Sequence, residues 1–478
     1  MNDRARRSSG PAGPRRPRPG GRRPGPARPP VVDPAREAAL DTLIAVRERD
    51  AYANLVLPGL LRQRRISGRD AGLATELAYG SARARGLLDA VLDACVDRPL
   101  SQVDGLLLDA LRLGTYQLLR TRIPVHAAVD STVDLVRARQ GSGPAGFVNA
   151  VLRRVAEQDE AAWVAQLAPD EQADPVGHLA LRSAHPRWIA QAFAEALGSK
   201  GEPLAAALAA DDARPAVHLT ARPGEVSADE LAAMTGGEPA PYSPYGVRLD
   251  AGAGDPGELD PVREKLAAVQ DEGSQLCALA LTRVPPTDGE GERWLDLCAG
   301  PGGKATLLGA LVGLSGGTLD AVEKAPHRAE LVRRATEGLP VTVHVGDGRD
   351  PGLAESSYDR VLVDAPCTGL GALRRRPEAR WRRQPSDLPE LTRLQRELLA
   401  SALRLVRPGG VVGYVVCSPH LSETVGVVSD AVRRGLAEPL DTREFFPGVP
   451  DLGAGPHVQL WPHLHGTDGM FCALLRRP

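Results

Sequence analysis

The chain has 478 residues, enough for roughly two or three domains, and a formal net charge of -2. That balance excludes a globally basic nucleic-acid binder, so any such partner must be met by local basic patches. Six cysteines without a C-x-x-C pair read as reduced thiols of a cytoplasmic enzyme; no apolar run approaches a membrane span, and the basic N-terminus lacks the apolar core of a secretory signal.

Residues 1–32 are Arg, Pro and Gly with almost nothing to bury, which predicts a disordered tail. It reads either as a solvated segment or as an arm binding RNA phosphates non-specifically. Residues 33–160 carry helical patterns at 36–47, 55–63, 69–82, 87–94, 102–118, 125–139 and 146–156, joined by short connections. This is the pattern of an all-α domain. Glu76-Leu-Ala-Tyr-Gly80 with Arg83, the run 107–119, Val125-His126-Ala-Ala-Val129 and Phe147-Val-Asn-Ala-Val-Leu-Arg153 resemble the antitermination domain called NusB-like. The resemblance implies RNA binding, with protein docking as the other reading.

Residues 161–275 are mixed. Helices are predicted at 188–196, 202–209 and 227–234, and short strands at 217–220, 246–249 and 267–270. We read a helical linker followed by a small α+β subdomain that binds RNA.

Residues 276–478 alternate strands and helices, the signature of a doubly wound, mostly parallel α/β sheet. A buried strand at 294–298 runs into Gly300, Pro301, Gly302 and Gly303, and a helix follows at 306–312. Strand, glycine turn, helix is the opening of a nucleotide-binding unit. It is not a P-loop, because Cys298 stands where the first Gly is needed and Ala305 replaces the Ser/Thr after Lys304. Further strands are predicted at 317–322, 341–345, 359–363, 411–416 and 470–475, and helices at 390–406 and 423–434. Glu323, at the tip of the second strand, suits a pair of ribose hydroxyls, and Asp347, past the third, an adenine amino group. Carboxylates with a weak phosphate grip point to a nucleoside without phosphates, such as S-adenosylmethionine.

Cys367 follows the fourth strand in Asp364-Ala365-Pro366-Cys367-Thr368-Gly369, and Cys417 follows the fifth in Cys417-Ser418-Pro419. Ligands of open α/β sheets bind beyond strand C-termini, so both thiols are expected near the transferable methyl group. Two cysteines and a carboxylate suit methylation of carbon 5 of cytosine. A thiolate adding to carbon 6 makes carbon 5 nucleophilic. The carbon-5 proton must then leave and the thiol be expelled, which needs a second group. Asp364 is expected on the ring-nitrogen edge. Spacing alone leaves open which thiol attacks. Cys298 is expected to pack beside the cofactor turn; Cys95, Cys277 and Cys472 read as small buried hydrophobes. No metal is expected, since His463-x-His465 and Cys472 lack ligand spacing.

Asp296-Leu-Cys298-Ala-Gly-Pro-Gly-Gly-Lys304, Asp364-Ala-Pro-Cys367-Thr-Gly369 with Arg374-Arg375-Arg376-Pro377, Trp381, Leu394-Gln395, Gly409-Gly410 and Tyr414-Val-Val-Cys417-Ser418 resemble the RNA cytosine-5 methyltransferases. With a NusB-like segment in front, they resemble the ribosomal RNA small-subunit methyltransferase B, or Sun/Fmu, family from about residue 35 onward. The resemblance implies a cofactor site at Cys298, Ala299, Gly300, Pro301, Gly302, Gly303, Lys304, Glu323, Asp347 and Asp364. It makes Cys417 the nucleophile and Cys367 the residue that assists product release, the reverse of the DNA enzymes. Gly300 stands where the family usually has Ala, Glu323 where it often has Asp, and Glu423-Thr424-Val425 where it has Glu-Asn-Glu.

Arg374, Arg375, Arg376, Arg380, Arg382 and Arg383 surround Trp381, a pattern for RNA phosphates beside a stacking ring. The target base must be unpaired or flipped. The expected substrate is small-subunit (16S) rRNA, deproteinised or in an assembling subunit, met by a monomer in the cytoplasm away from any membrane. Another RNA such as tRNA is the alternative substrate. Two competing classes are an amino-group methyltransferase, which calls for Asp/Asn-Pro-Pro-aromatic after the fourth strand, and an RNA-binding protein with a vestigial methyltransferase domain.

Overall fold

The computed structural model describes residues 32–250, 254–285 and 291–478. The arginines of the N-terminal Arg/Pro-rich segment lie outside them.

Six helices form the first unit: α1 (Pro34–Arg49), α2 (Ala53–Arg64), α3 (Gly68–Cys95), α4 (Gly105–Arg120), α5 (Val125–Gln140) and α6 (Ser142–Val155). Asp33 caps α1 by accepting from the Arg36 N–H, and Pro34 sits in the first turn, where its missing N–H costs nothing. Leu40, Leu77, Leu88, Leu111, Val148 and Leu152 meet in one core. The helices expected at 69–82 and 87–94 are one continuous α3. The polar Arg83-Ala84-Arg85-Gly86 step interrupts the apolar pattern without ending the helix. Gly86 is there because the Trp381 ring fills its space: a Cβ would lie 2.3 Å from that ring.

Four helices follow, α7 (Glu160–Leu167), α8 (Pro175–Arg182), α9 (Arg187–Leu197) and α10 (Glu202–Asp212), the first two of which the sequence pattern did not reveal. A small antiparallel sheet comes next, from β1 (Val217–Ala221), β2 (Glu238–Pro239), β3 (Gly246–Leu249) and β4 (Ala267–Val269) in the order β2-β3-β1-β4, with α11 (Ala228–Thr235) packed on it. A short helix, α12 (Asp260–Arg263), precedes β4.

The last unit opens with α13 (Glu272–Arg283). Its strands are β5 (Arg293–Asp296), β6 (Thr318–Glu323), β7 (Val341–Val345), β8 (Tyr358–Asp364), β9 (Val406–Val416), β10 (Glu438–Pro439), β11 (Val458–Gln459) and β12 (Phe471–Arg476). The order is β10-β12-β9-β8-β5-β6-β7, with β5 to β9 parallel and β12 antiparallel on β9. Helices α14 (Gly303–Leu314), α15 (Pro326–Ala335), α17 (Leu388–Leu405) and α18 (Val425–Arg433) cover it; the short α16 (Ala379–Arg382) and α19 (Pro462–His465) lie in connections. Leu295, Val361, Val363, Val412, Tyr414 and Leu398 bury one face, and Trp294, Leu319, Leu362, Val415 and Leu308 the other. Strands covered on both faces explain the nearly continuous apolar runs. The doubly wound fold predicted from the alternation is the fold observed.

Candidate active site

Three neighbouring strands of the sheet centre, β5, β8 and β9, end on Asp296, Asp364 and Val416. Their pairing registers bring the following residues together at one edge. Cys367 Sγ lies 3.4 Å from Cys417 Sγ. Lys304, from the first turn of α14, donates from Nζ to Asp364 Oδ2 at 2.8 Å. The Cys417 thiol is pushed down, first by its hydrogen bond with Cys367 and also by the Lys304 ammonium. The Cys367 thiol is pushed up, by the same bond, by burial and by the Glu423 carboxylate. Burial opposes the Lys304 ammonium, but Asp364 outweighs it and holds the charge.

The glycine turn carries the cofactor-side groups. Gly302, at φ +118°, lets the chain reverse into α14, and a Cβ there would meet Ala335 at 2.9 Å. Glu323 is buried; its Oε1 accepts from the Ala325 N–H at 2.9 Å, and its other oxygen reaches under Gly300, whose carbonyl accepts from Arg328. Asp296 is 1% exposed. Its Oδ1 accepts from the Cys298 N–H at 3.3 Å, while Oδ2 is buried with no partner. Burial, and next the Asp364 charge, push its carboxyl up to about 7. Asp347 is held by the Arg349 side chain and backbone N–H and by Lys324, so its carboxyl stays well below the usual range. Cys298, Ala299 and Pro301 complete the turn beside these carboxylates. Carboxylates Asp296 and Asp364 beside the Lys304 ammonium, Glu323 under the glycine turn, and an acceptor to spare on Asp296 fit a cationic nucleoside such as S-adenosylmethionine.

Glu423 is a residue that sequence reasoning passed over. It is fully buried and accepts from the Thr368 N–H (2.8 Å), the Thr368 and Ser418 hydroxyls and Gln395 Nε2 (3.0 Å). It thereby ties the residue after Cys367 to the residue after Cys417. Its only signal in the sequence was the partial match Glu423-Thr424-Val425. Asp296, quoted in the turn motif but given no role, is the second such residue.

The arginine cluster is corrected. Arg374 is buried and donates to Asp468 Oδ1 at 2.8 Å; Arg375 donates to Asp468 and, at 2.6 Å, to Asp271. Arg380 is 0% exposed and donates to the carbonyls of Arg83 and Asp211 and to Asp212. Trp381 donates to the Ala82 carbonyl, and Arg382 to those of Val46 and Ala51. These side chains clamp the loop after Cys367 onto α1, α3, α10 and the small sheet. These guanidinium groups are turned onto carboxylates and carbonyls of the protein itself, and Arg374 and Arg380 are buried, so the RNA groove expected there is an intramolecular seam. Arg376 is exposed over Tyr52, and Arg383 is half-buried near Asp387. Among the described residues no cluster of three or more His, Cys, Asp or Glu side chains is arranged to hold a metal, and no helix is long and apolar enough to cross a membrane.

Comparison with known proteins places the chain. The family model for the 16S rRNA methyltransferase RsmB/F matches residues 284–476, and that for the NusB family residues 33–157. A Mycobacterium tuberculosis chain, whose name gives methyltransferase with no substrate, is 61% identical over 454 residues, covering 95% of this chain and 98% of its own. The ribosomal RNA small subunit methyltransferase B of Pseudomonas putida is 33% identical over 451 residues, covering 92% and 98%. Among solved structures, PH0851 superposes with a TM-score of 0.77 at 23% identity over 94% of this chain and 99% of its own. NSun6 from Pyrococcus horikoshii, solved with SFG, gives 0.52 at 20% over 62% and 99%. The fold, the paired domains and the identity over nearly the full length agree: the chain belongs to the 16S rRNA methyltransferase RsmB/F family and is an S-adenosylmethionine-dependent RNA methyltransferase.

Proposed function

We propose that the chain methylates carbon 5 of a cytosine in small-subunit (16S) rRNA through a covalent adduct between Cys417 and carbon 6. The observation that carries this reading is the pair of sulfurs, 3.4 Å apart, beside the Lys304–Asp364 ion pair. The bound cofactor supplies an electrophilic methyl group. The Cys417 thiolate adds to carbon 6, and charge moves onto the ring-nitrogen edge, where the Lys304 ammonium, held in place by Asp364, stabilises it. Carbon 5 takes the methyl group. In release, the Cys417–carbon 6 bond breaks as Cys417 receives the Cys367 proton, and the Cys367 thiolate takes the carbon-5 proton. One proton then leaves Cys417 to solvent and the pair is restored.

The proposed division is 33–160 for the NusB-like RNA-binding domain, 161–275 for the linker and small RNA-binding subdomain, and 276–478 for the methyltransferase domain. The enzyme would act as a cytoplasmic monomer on deproteinised rRNA or an assembling subunit, with Arg376 and Arg383 as the remaining phosphate contacts near Trp381.

The test incubates Cys367→Ala and Cys417→Ala with small-subunit rRNA and S-adenosylmethionine on a denaturing gel. A denaturation-resistant protein–RNA band is expected with Cys367→Ala alone. A band with Cys417→Ala alone would reverse the roles. Failure of the unmodified enzyme to label cytosine carbon 5 would sink the reading, and equal labelling of intact subunits would remove the preference for free rRNA.

A further inference from the structure

We propose that a cavity between α9 and the loop after Cys417 holds a base of the RNA neighbouring the target cytosine. The inference rests on the proposed reading of the chain as an RNA cytosine methyltransferase and adds a subsite to it. The cavity has a volume of about 430 Å³ and is lined by Arg187, Trp188, Gln191 and Glu195 of α9, by Leu388 at the start of α17 and by His420. That volume lies in the range of small-ligand sites.

Spacings of three and four residues put Trp188, Gln191 and Glu195 on one side of α9. The other side, with Ile189, Ala190 and Phe193, is buried against Trp461. Trp188 packs on that core and is only partly buried, leaving ring surface toward the cavity. Gln191 Nε2 donates to Glu195 Oε1 at 2.8 Å, which fixes the carboxylate with acceptor capacity remaining. An aromatic face beside an ordered carboxylate is what a single-stranded base with N–H donors on its edge requires. Arg187, exposed and paired with Asp174, stands at the rim where a phosphate passes.

The wall formed by His420 connects this cavity to the chemistry. His420 is three residues past Cys417, a span of roughly 10 Å at most. Its N–H donates to Ser418 Oγ, which is bound to Glu423 under both cysteines. A base seated on Trp188 would therefore belong to a nucleotide close to the one over Cys417, and would help hold the target out of its stack.

The experiment uses the full chain. RNA heptamers with a central cytosine and flanks of one other base are titrated while tryptophan fluorescence is read. Trp163, Trp294 and Trp461 are buried and Trp381 is wedged against Gly86, so Trp188 is the reporter. Quenching is expected in the unmodified chain and lost in Trp188→Phe, with amino-bearing flanks stronger than uracil, and with that preference lost in Glu195→Gln. Kinetically, Trp188→Ala should raise KM for small-subunit rRNA by roughly five- to a hundred-fold, the size of one lost base–aromatic stack, and Trp188→Phe should restore most of it. Affinity for S-adenosylmethionine should be unmoved. Labelling of rRNA by the unmodified chain, with no Trp188-dependent quench and no KM change in a folded Trp188→Ala, overturns the cavity and leaves the catalytic reading intact. Quenching without any cytosine labelling supports the cavity and sinks the catalytic reading. Should Trp188→Ala fail to fold, the quench comparison between the unmodified chain and Trp188→Phe decides.

Discussion

The Glu323 carboxylate occupies the space a side chain at residue 300 would need: a Cβ on Gly300 would lie 2.1 Å from Glu323 Oε2. The two departures from the family's usual turn, Gly for Ala and Glu for Asp, are thereby one feature. The longer acid reaches one methylene further, and the smaller turn residue makes room. Gly300→Ala should displace the carboxylate from its place under the turn and weaken S-adenosylmethionine binding about tenfold or more, with little change in melting temperature. Glu323→Asp, added to Gly300→Ala, should recover most of the loss. Isothermal titration of the four proteins completes a double-mutant cycle. Additive losses would mean that the two positions act independently.

Glu423 holds the two cysteine loops in register from beneath. Glu423→Ala strips the Thr368 N–H of its acceptor, leaves the Thr368 and Ser418 hydroxyls only each other, and leaves Gln395 Nε2 only the Pro366 carbonyl. Unsatisfied buried donors cost about 1–3 kcal/mol each, so the variant should melt several degrees lower. Its kcat should fall at least tenfold because the sulfurs lose their spacing, while cofactor affinity stays near normal. Glu423→Gln, which keeps one acceptor oxygen, should fall between. A Glu423→Ala enzyme with unchanged kcat would show that the cysteines are positioned by their own strands.

Asp296 makes stability depend on pH. Burial raises its carboxyl to about 7, above an unfolded value near 3.9. Between those values the folded chain binds more protons than the unfolded one. Its contribution is therefore full at low pH and declines as pH rises through 7, at about 1.4 kcal/mol for each pH unit. Asp296→Asn removes that decline. The cofactor-free variant should be more stable than the unmodified chain at pH 8, with the gain shrinking toward pH 5, and should bind the cationic cofactor more weakly. Melting curves across that range check it; a difference independent of pH would assign the effect to packing.

The sheet was legible because its strands are buried on both faces and its turns carry Gly and Pro. The thiols were legible because strand ends in such a sheet face ligand. Residues 406–410 were not read as strand, since Pro408-Gly409-Gly410 has the composition of a turn; the segment pairs because Arg477 and Gly409–Gly410 exchange backbone hydrogen bonds. Asp296 and Glu423 gain their character only from burial, which no local pattern records. The arginines failed for a related reason. A basic stretch around a Trp looks the same whether its partners are phosphates or carboxylates, and the carboxylates here, among them Asp468 and Asp211, lie 93 to 169 residues away.

That seam separates two roles that the sequence merged. Arg380 is buried where α16 meets α3 and α10, with Asp212 also paired to Arg120 at 2.6 Å. Arg380→Met removes one side of a buried charge cluster and leaves Asp211 and Asp212 short of a partner, at a cost of about 3–5 kcal/mol. The loop leading back to Cys367 should loosen with it, so kcat falls along with melting temperature. Arg376, exposed over Tyr52, is the contrasting position. Arg376→Ala should leave the melting temperature within a degree or so and weaken rRNA binding modestly, with a smaller salt dependence because one phosphate contact is gone. Thermal melts and filter binding at two salt concentrations distinguish them. If Arg380→Met kept its stability and lost only RNA affinity, the cluster would be a phosphate site after all, opened by a movement of α16 away from α3.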